Sequence, residues 1–119
     1  MPSSIVGRDA DGSSIEIPLT RMTLLVVVKP GCLGCREFLH AADHELAGLE
    51  LVLVSEVADD RGEWRDARAV LIAPAWIEAQ RLIAAPSYAL LSARTRRLIA
   101  EGAAFSVSQV MSEIASHVS

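Results

Sequence analysis

Lys29-Pro30-Gly31-Cys32-Leu33-Gly34-Cys35-Arg36 holds both cysteines of the chain, spaced Cys-x-x-Cys. Five apolar residues precede it, Leu24-Leu25-Val26-Val27-Val28, and three of them are β-branched. Such a run fits a strand covered on both faces, as in a parallel sheet flanked by helices. Pro30 and Gly31 end it. Beyond the cysteines, Cys35, Phe38, Leu39, Ala42 and Leu46 follow the i, i+3, i+4, i+7, i+11 stripe of one amphipathic helix, with Gly48 as its stop. Strand, thiol pair, helix: this order places two sulfurs at the mouth of a sheet, where they can close and open a disulfide.

Outward from there, Leu49-Glu50-Leu51-Val52-Leu53-Val54 supplies a second buried strand and closes a β-α-β unit. Such a crossover is expected to be right-handed, with parallel strands. On the N-terminal side, residues 4–17 read as a hairpin, with Ile5-Val6 and Ile15-Glu16-Ile17 flanking the turn signal Asp11-Gly12. Residues 55–68, with Glu56, Asp59, Asp60, Glu63, Trp64 and Asp66, read as a loop with room for one helical turn. Ala69–Ile72 fits a short edge strand, and Pro74 suits the first turn of a helix carrying Trp76, Ile77, Gln80 and Leu82. The alternative is one helix from Glu63 to Ala73, stopped by Pro74. Tyr88–Leu91 and Arg97–Ala100 read as two strands joined by the turn Ser92–Arg96, a connection short enough to force an antiparallel pair. Gly102 is expected to break the second of these. Val107, Val110, Met111, Ile114, Ala115 and Val118 form a helical stripe, and Ser106 with Gln109 resembles a capping box at its start.

The length of 119 residues suits one domain, residues 1–119, with a real core. Hydrophobic content of 51% beside 22% charged residues excludes a disordered chain. A formal charge of −4 argues against nucleic acid, which favours a basic stripe, and leaves no polybasic face for an acidic membrane. The start lacks the pattern of a secretory signal, and the apolar runs are too short to span a bilayer. As written the chain therefore suggests a soluble cytoplasmic protein, and a periplasmic or extracytoplasmic one if a signal or anchor was trimmed. Two cysteines so close together cannot form a structural disulfide framework and point to redox or metal chemistry.

The whole arrangement resembles the thioredoxin superfamily: a β-α-β unit with Cys-x-x-Cys at its first strand-to-helix junction, then Ala85-Pro86 opening a hairpin, then a C-terminal helix. Within it the chain looks most like TlpA-like thiol-disulfide oxidoreductases, including the MauD-like accessory proteins of methylamine utilisation. Ile5-Val6-Gly7-Arg8-Asp9-Ala10-Asp11-Gly12-Ser13-Ser14-Ile15 is similar to their opening hairpin. Ala85-Pro86-Ser87-Tyr88-Ala89-Leu90-Leu91, with Glu101-Gly102 ten residues on, is similar to their proline-led segment. The resemblance implies an α/β thioredoxin fold: a central mixed β-sheet flanked by helices, with an N-terminal β-hairpin. It implies a cis Ala85-Pro86 peptide facing the cysteines, and a thiol-disulfide oxidoreductase acting on protein thiols and disulfides, recycled by a redox partner. No small-molecule cofactor follows, because the electrons reside on the two sulfurs.

Within that frame Cys32 is the expected nucleophile. It stands just before a helix whose unpaired N–H groups favour an anion, with Lys29 adding positive charge nearby. Cys35, one turn in, would resolve the mixed disulfide. Pro86, Ala85, Gly31, Leu33 and Gly34 would shape the substrate groove, with the Ala85 backbone left free to pair with an extended client. Three departures stand out. Val26 occupies the position of the buried aspartate that relays protons in thioredoxins, leaving Glu56, Asp59 or a water as possible substitutes. Gly31 replaces the usual aromatic residue, and Leu33-Gly34 lacks the customary proline. They keep a second reading open, a thioredoxin-fold maturation or binding module with little redox turnover. A third is a metal site, although two thiolates supply only half of a tetrahedral set. His40 and His44 are read as a solvated helix face and His117 as idle. Trp64 and Trp76 are read as covers for the sheet edge, and Arg94, Arg96 and Arg97 as a solvated turn.

Overall fold

The computed structural model describes residues 3–118. Leu24–Val28 lies in β3 (Thr23–Val28), and all six residues of that strand are buried. β3 pairs in parallel with β4 (Glu50–Ser55) and antiparallel with β6 (Ser87–Ser92). A strand with neighbours on both sides and apolar layers on both faces has no water-facing position, so its pattern is continuous rather than alternating. β1 (Ser4–Arg8), β2 (Ser14–Pro18), β5 (Val70–Ile72) and β7 (Arg97–Ala103) complete a mixed seven-stranded sheet in the order β2-β1-β5-β4-β3-β6-β7.

The two-residue period of β3 divides the core. Leu24, Val26 and Val28 pack with Cys35 and Phe38 of α1 (Leu33–Leu39) and with Val107, Val110 and Ile114 of α3 (Val107–Ile114). Leu25 and Val27 face the other way, toward Ile5 and toward Trp76 and Ile77 of α2 (Pro74–Ala79). The hairpin forms as expected, with Ile5 opposite Ile17. Its turn is held by the Asp9 carboxylate, which accepts the N–H groups of Asp11 and Ser13 at 2.9 and 3.0 Å. Of the two readings for residues 63–82, the short strand followed by a Pro74-led helix is the one that forms, although the strand, β5, lies between β4 and β1 and not at the edge expected of it. Ser106 and Gln109 make the expected capping box.

Two further expectations are corrected. The single helix from Cys35 to Leu46 is broken: α1 stops at Leu39, and Asp43–Leu46 forms a separate 3₁₀ turn. The carbonyls freed at the break are taken by Arg68, whose backbone N–H donates to Leu39 O and whose Nε donates to Ala41 O, both at 2.9 Å. Its Nη2 pairs with Asp43 at 2.6 Å. His40 and His44 therefore share no helix face, although both are exposed. The second correction concerns Gly102, which lies inside β7 opposite Tyr88 instead of ending the strand. A Cβ at Gly102 would come within 3.1 Å of the Tyr88 ring, so the glycine makes room for that ring. The tryptophans divide between the layers. Trp64 joins the α1 side, and Trp76 covers β1, donating its indole N–H to Ser4 O at 3.2 Å.

Gly7 marks the tightest contact of the hairpin with the sheet. A Cβ there would lie 2.6 Å from Ile72 O and 2.7 Å from Leu71 Cγ. Gly7→Ala is expected to cost about 1–3 kcal/mol, the usual range for overpacking, read as a lower denaturant midpoint. An unchanged midpoint would mean that β1 sits more loosely on β5.

The Tyr88 hydroxyl donates to Glu113 Oε1 at 2.8 Å, tying β6 to α3, and Gln109 Nε2 donates to the other carboxylate oxygen. Burial first, then this hydrogen bond and the Glu113 charge, push the phenol from 10.0 up to about 12. The hydrogen bonds from Gln109 and then Tyr88 hold the Glu113 carboxyl below its usual value. A phenol whose pKa rises on folding contributes stability that is whole below pH 10.0 and is lost as pH climbs toward about 12. Tyr88 is the sole tyrosine, so its ultraviolet ionisation reports this directly. The midpoint should lie well above that of free tyrosine. Glu113→Ala should lower it without restoring the free value, because burial is the larger cause.

Candidate active site

Cys32 is the N-cap of α1, with extended backbone (φ −94°, ψ 113°), and its sulfur accepts the N–H of Cys35 at 3.2 Å. This is the position at which serine or aspartate oxygens usually satisfy a free helix donor. The first turn carries no acidic residue to oppose negative charge on that sulfur. Cys32 and Cys35 form a disulfide, with Cα atoms 5.3 Å apart. Cys32 is half-buried, whereas Cys35 is 1% exposed, within the core cluster that also holds Phe38 and Trp64.

Gly31 turns the chain from β3 into this cap with φ +74°, in the left-handed region where a side chain would be strained. Its N–H donates to Glu63 Oε2 at 2.6 Å. The loop carrying Glu63 is ordered by Asp59, whose carboxylate accepts the N–H groups of Glu63 and Trp64, each at 2.8 Å. Trp64, buried against α1, and Arg68, bonded to the end of α1, fix the loop's far side. Lys29, Cys32, Arg36, His40, Glu63 and Trp64 then line a cleft of about 270 Å³.

On the opposite flank, the Ala85-Pro86 peptide is cis, and Pro86 O accepts the N–H of Ala104 at 3.1 Å. Ala104 O and Phe105 O would each stand 3.3 Å from a Cβ on Gly34. One residue, Ala104, thus joins the proline loop to the first turn of α1. Leu33 and Phe105, 78% and 66% exposed, present apolar surface beside that contact, and Ile83 adds more from the loop leading to Pro86. Among the described residues no hydrogen bond engages the backbone of Ala85.

The expected site residues are therefore distributed around the disulfide: Lys29 and Gly31 on the Glu63 side, Leu33 and Gly34 at the start of α1, Pro86 against Ala104. Val26 is fully buried between Leu53 and Tyr88, so the relay position is apolar. Asp59 is occupied as a loop cap. Glu56 lies in a cleft with Pro74 and Ile77 of α2. Sequence reasoning missed Glu63. Its loop could be recognised as a turn from Asp59 and Gly62, yet nothing local aims its carboxylate at Gly31. No group of three His, Cys, Asp or Glu side chains gathers in ligating geometry among the described residues. Nor, among them, is any helix long and apolar enough to cross a membrane.

No protein-family model matches the chain, and no curated protein matches it in sequence. Its fold is nonetheless similar to several solved structures. The thioredoxin domain of a thiol-disulfide oxidoreductase from Bacteroides vulgatus superposes with a TM-score of 0.64 at 16% identity, covering 98% of this chain and 94% of that one. StoA from Bacillus subtilis gives 0.63 at 16%, covering 94% and 96%. The exposed lipoprotein thioredoxin Etrx1 of Streptococcus pneumoniae gives 0.61 at 11%, covering 95% and 98%. At these identities the likeness establishes the architecture: the chain has a thioredoxin fold with an N-terminal β-hairpin.

The unequal burial of the two sulfurs predicts an order of reaction. After reduction, iodoacetamide should modify Cys32 well before Cys35, as read by peptide mass spectrometry on a time course. Equal rates, or Cys35 first, would reverse the assignment of the outward-facing thiol.

Proposed function

We propose that the protein is a thiol-disulfide oxidoreductase that exchanges disulfides with protein substrates. Cys32 attacks and Cys35 resolves. The observation that carries this is the pairing of a half-buried sulfur at a helix start, held by the Cys35 N–H, with a second sulfur sealed behind it. A thiolate at Cys32 would keep that N–H as a donor and meet no acidic residue in the first turn of α1.

In the reducing direction, the Cys32 thiolate attacks one sulfur of a client disulfide. A mixed disulfide forms, and the first client thiolate leaves. Cys35, deprotonated, then attacks Cys32 Sγ, the mixed disulfide breaks, and the second client thiolate leaves. Two electrons pass to the client, and the pair ends as the disulfide seen here. An external dithiol returns it to the reduced state, and the same steps in reverse oxidise a client. Gly31, Leu33, Gly34 and Pro86 frame the groove, with the unengaged Ala85 backbone available to an extended client strand. The exposed side chains of Leu33, Phe105 and Ile83 give that client apolar contact. Lys29 supplies positive charge beside Cys32. The compartment sets the net direction: a reducing pool keeps the pair as a dithiol donor, an oxidising one as an acceptor. The likeness to an exposed lipoprotein thioredoxin supports an extracytoplasmic setting.

Val26 favours a second reading, a client-binding module with little turnover, because no carboxylate stands at the usual relay position to deprotonate Cys35. An insulin disulfide reduction assay separates the two. Cys32→Ser should abolish activity, and Cys35→Ser should accumulate a client linked through Cys32. A wild-type chain without activity, whose client binding survives Cys32→Ser, would favour the binding module.

A further inference from the structure

The contact between Glu63 and Gly31 lies outside any role assigned above. Glu63 is an exposed residue on a loop 32 positions along the chain, yet its carboxylate accepts the N–H of the residue directly before the nucleophile. The loop is built to hold it there. Asp59 caps its backbone, Trp64 anchors it in the core on the α1 side of the sheet, and Arg68 fastens it to the end of α1.

We propose that Glu63 is a positioning residue of the cysteine pair: it latches Gly31 in its left-handed turn and sets a negative charge against the Cys32 thiolate. The charged and titratable groups around Cys32 are few. Lys29 approaches from the end of β3, Arg36 from α1, His40 from its C-cap, and Glu63 from the loop. The segments on the other flank, residues 83–86 and 103–105, carry none. Among the described residues lining this cleft, Glu63 is thus the only anionic side chain, set against Lys29 and Arg36, and it opposes the acidity that those two and the start of α1 confer. The two functions are separable by substitution. Glutamine keeps an oxygen acceptor for the Gly31 N–H and loses the charge, whereas alanine loses both.

This inference rests on Cys32 being the reactive thiol, and both of its readouts work without a client. The first is the pH dependence of Cys32 alkylation in the reduced full-length chain. Glu63→Gln should lower the ionisation midpoint of Cys32 by about half a pH unit, the size expected of one partly solvated charge. The second is hydrogen exchange at the Gly31 amide in the oxidised chain. Exchange should stay slow in Glu63→Gln and accelerate at least tenfold in Glu63→Ala. A Glu63→Gln midpoint that is unchanged or raised overturns the electrostatic half. Gly31 exchange in Glu63→Ala equal to wild type overturns the latch. If both effects appear in a chain inert toward insulin, the latch stands and it is the exchange reaction proposed above that fails.

Discussion

All six side chains of β3 are withdrawn from water, those of Leu24, Val26 and Val28 under α1 and α3 and those of Leu25 and Val27 under α2. A strand so enclosed can offer chemistry only where it ends. There the chain must leave the sheet, reverse at Gly31 and start a helix whose first N–H groups lack partners. The Cys32 sulfur answers that need by accepting from Cys35 N–H. Helix initiation and sulfur placement are consequently one event, and the packing that stabilises β3 also fixes the position of the Cys32 sulfur. Burial of Cys35 follows from the same geometry, since position N3 of α1 faces back onto the strand.

Much of this was legible in the sequence because it rests on local patterns. The unbroken apolar run, the Cys-x-x-Cys spacing, the Asp11-Gly12 turn and the Ser106/Gln109 cap each act over a few residues, and each appears in the structure. What escaped depends on partners distant in the chain. The stripe Cys35–Leu46 fits one helix as well as two. Arg68, reaching Leu39 O and Ala41 O from 27 or more positions away, favours the break by taking up the orphaned carbonyls. Gly102 reads as a strand breaker until Tyr88 is seen to need the space across the ladder. Glu63 has the look of a solvated loop residue until the fold places Gly31 beside it.

The region from Asp59 to Arg68 therefore matters more than its polar composition suggests. It has no strand or helix of its own, yet its backbone and side chains bond to the start of the site, the end of α1 and its own turn. Order here comes from side-chain-to-backbone hydrogen bonds rather than from repeating backbone ladders. Such a segment can adjust the charge beside the cysteines without disturbing the sheet.

The close approach of Ala104 and Phe105 to Gly34 bears on how this protein can diverge. Across thioredoxin-fold enzymes the two residues between the cysteines are the usual place to retune the redox potential. In this chain the second of them is walled in by two backbone carbonyls, and one of those residues also grips the proline loop. Any larger residue at 34 requires that backbone to retreat and so shifts the segment that holds Pro86. Selection acting on potential alone finds that route obstructed. The freer variable is Leu33, which projects into solvent.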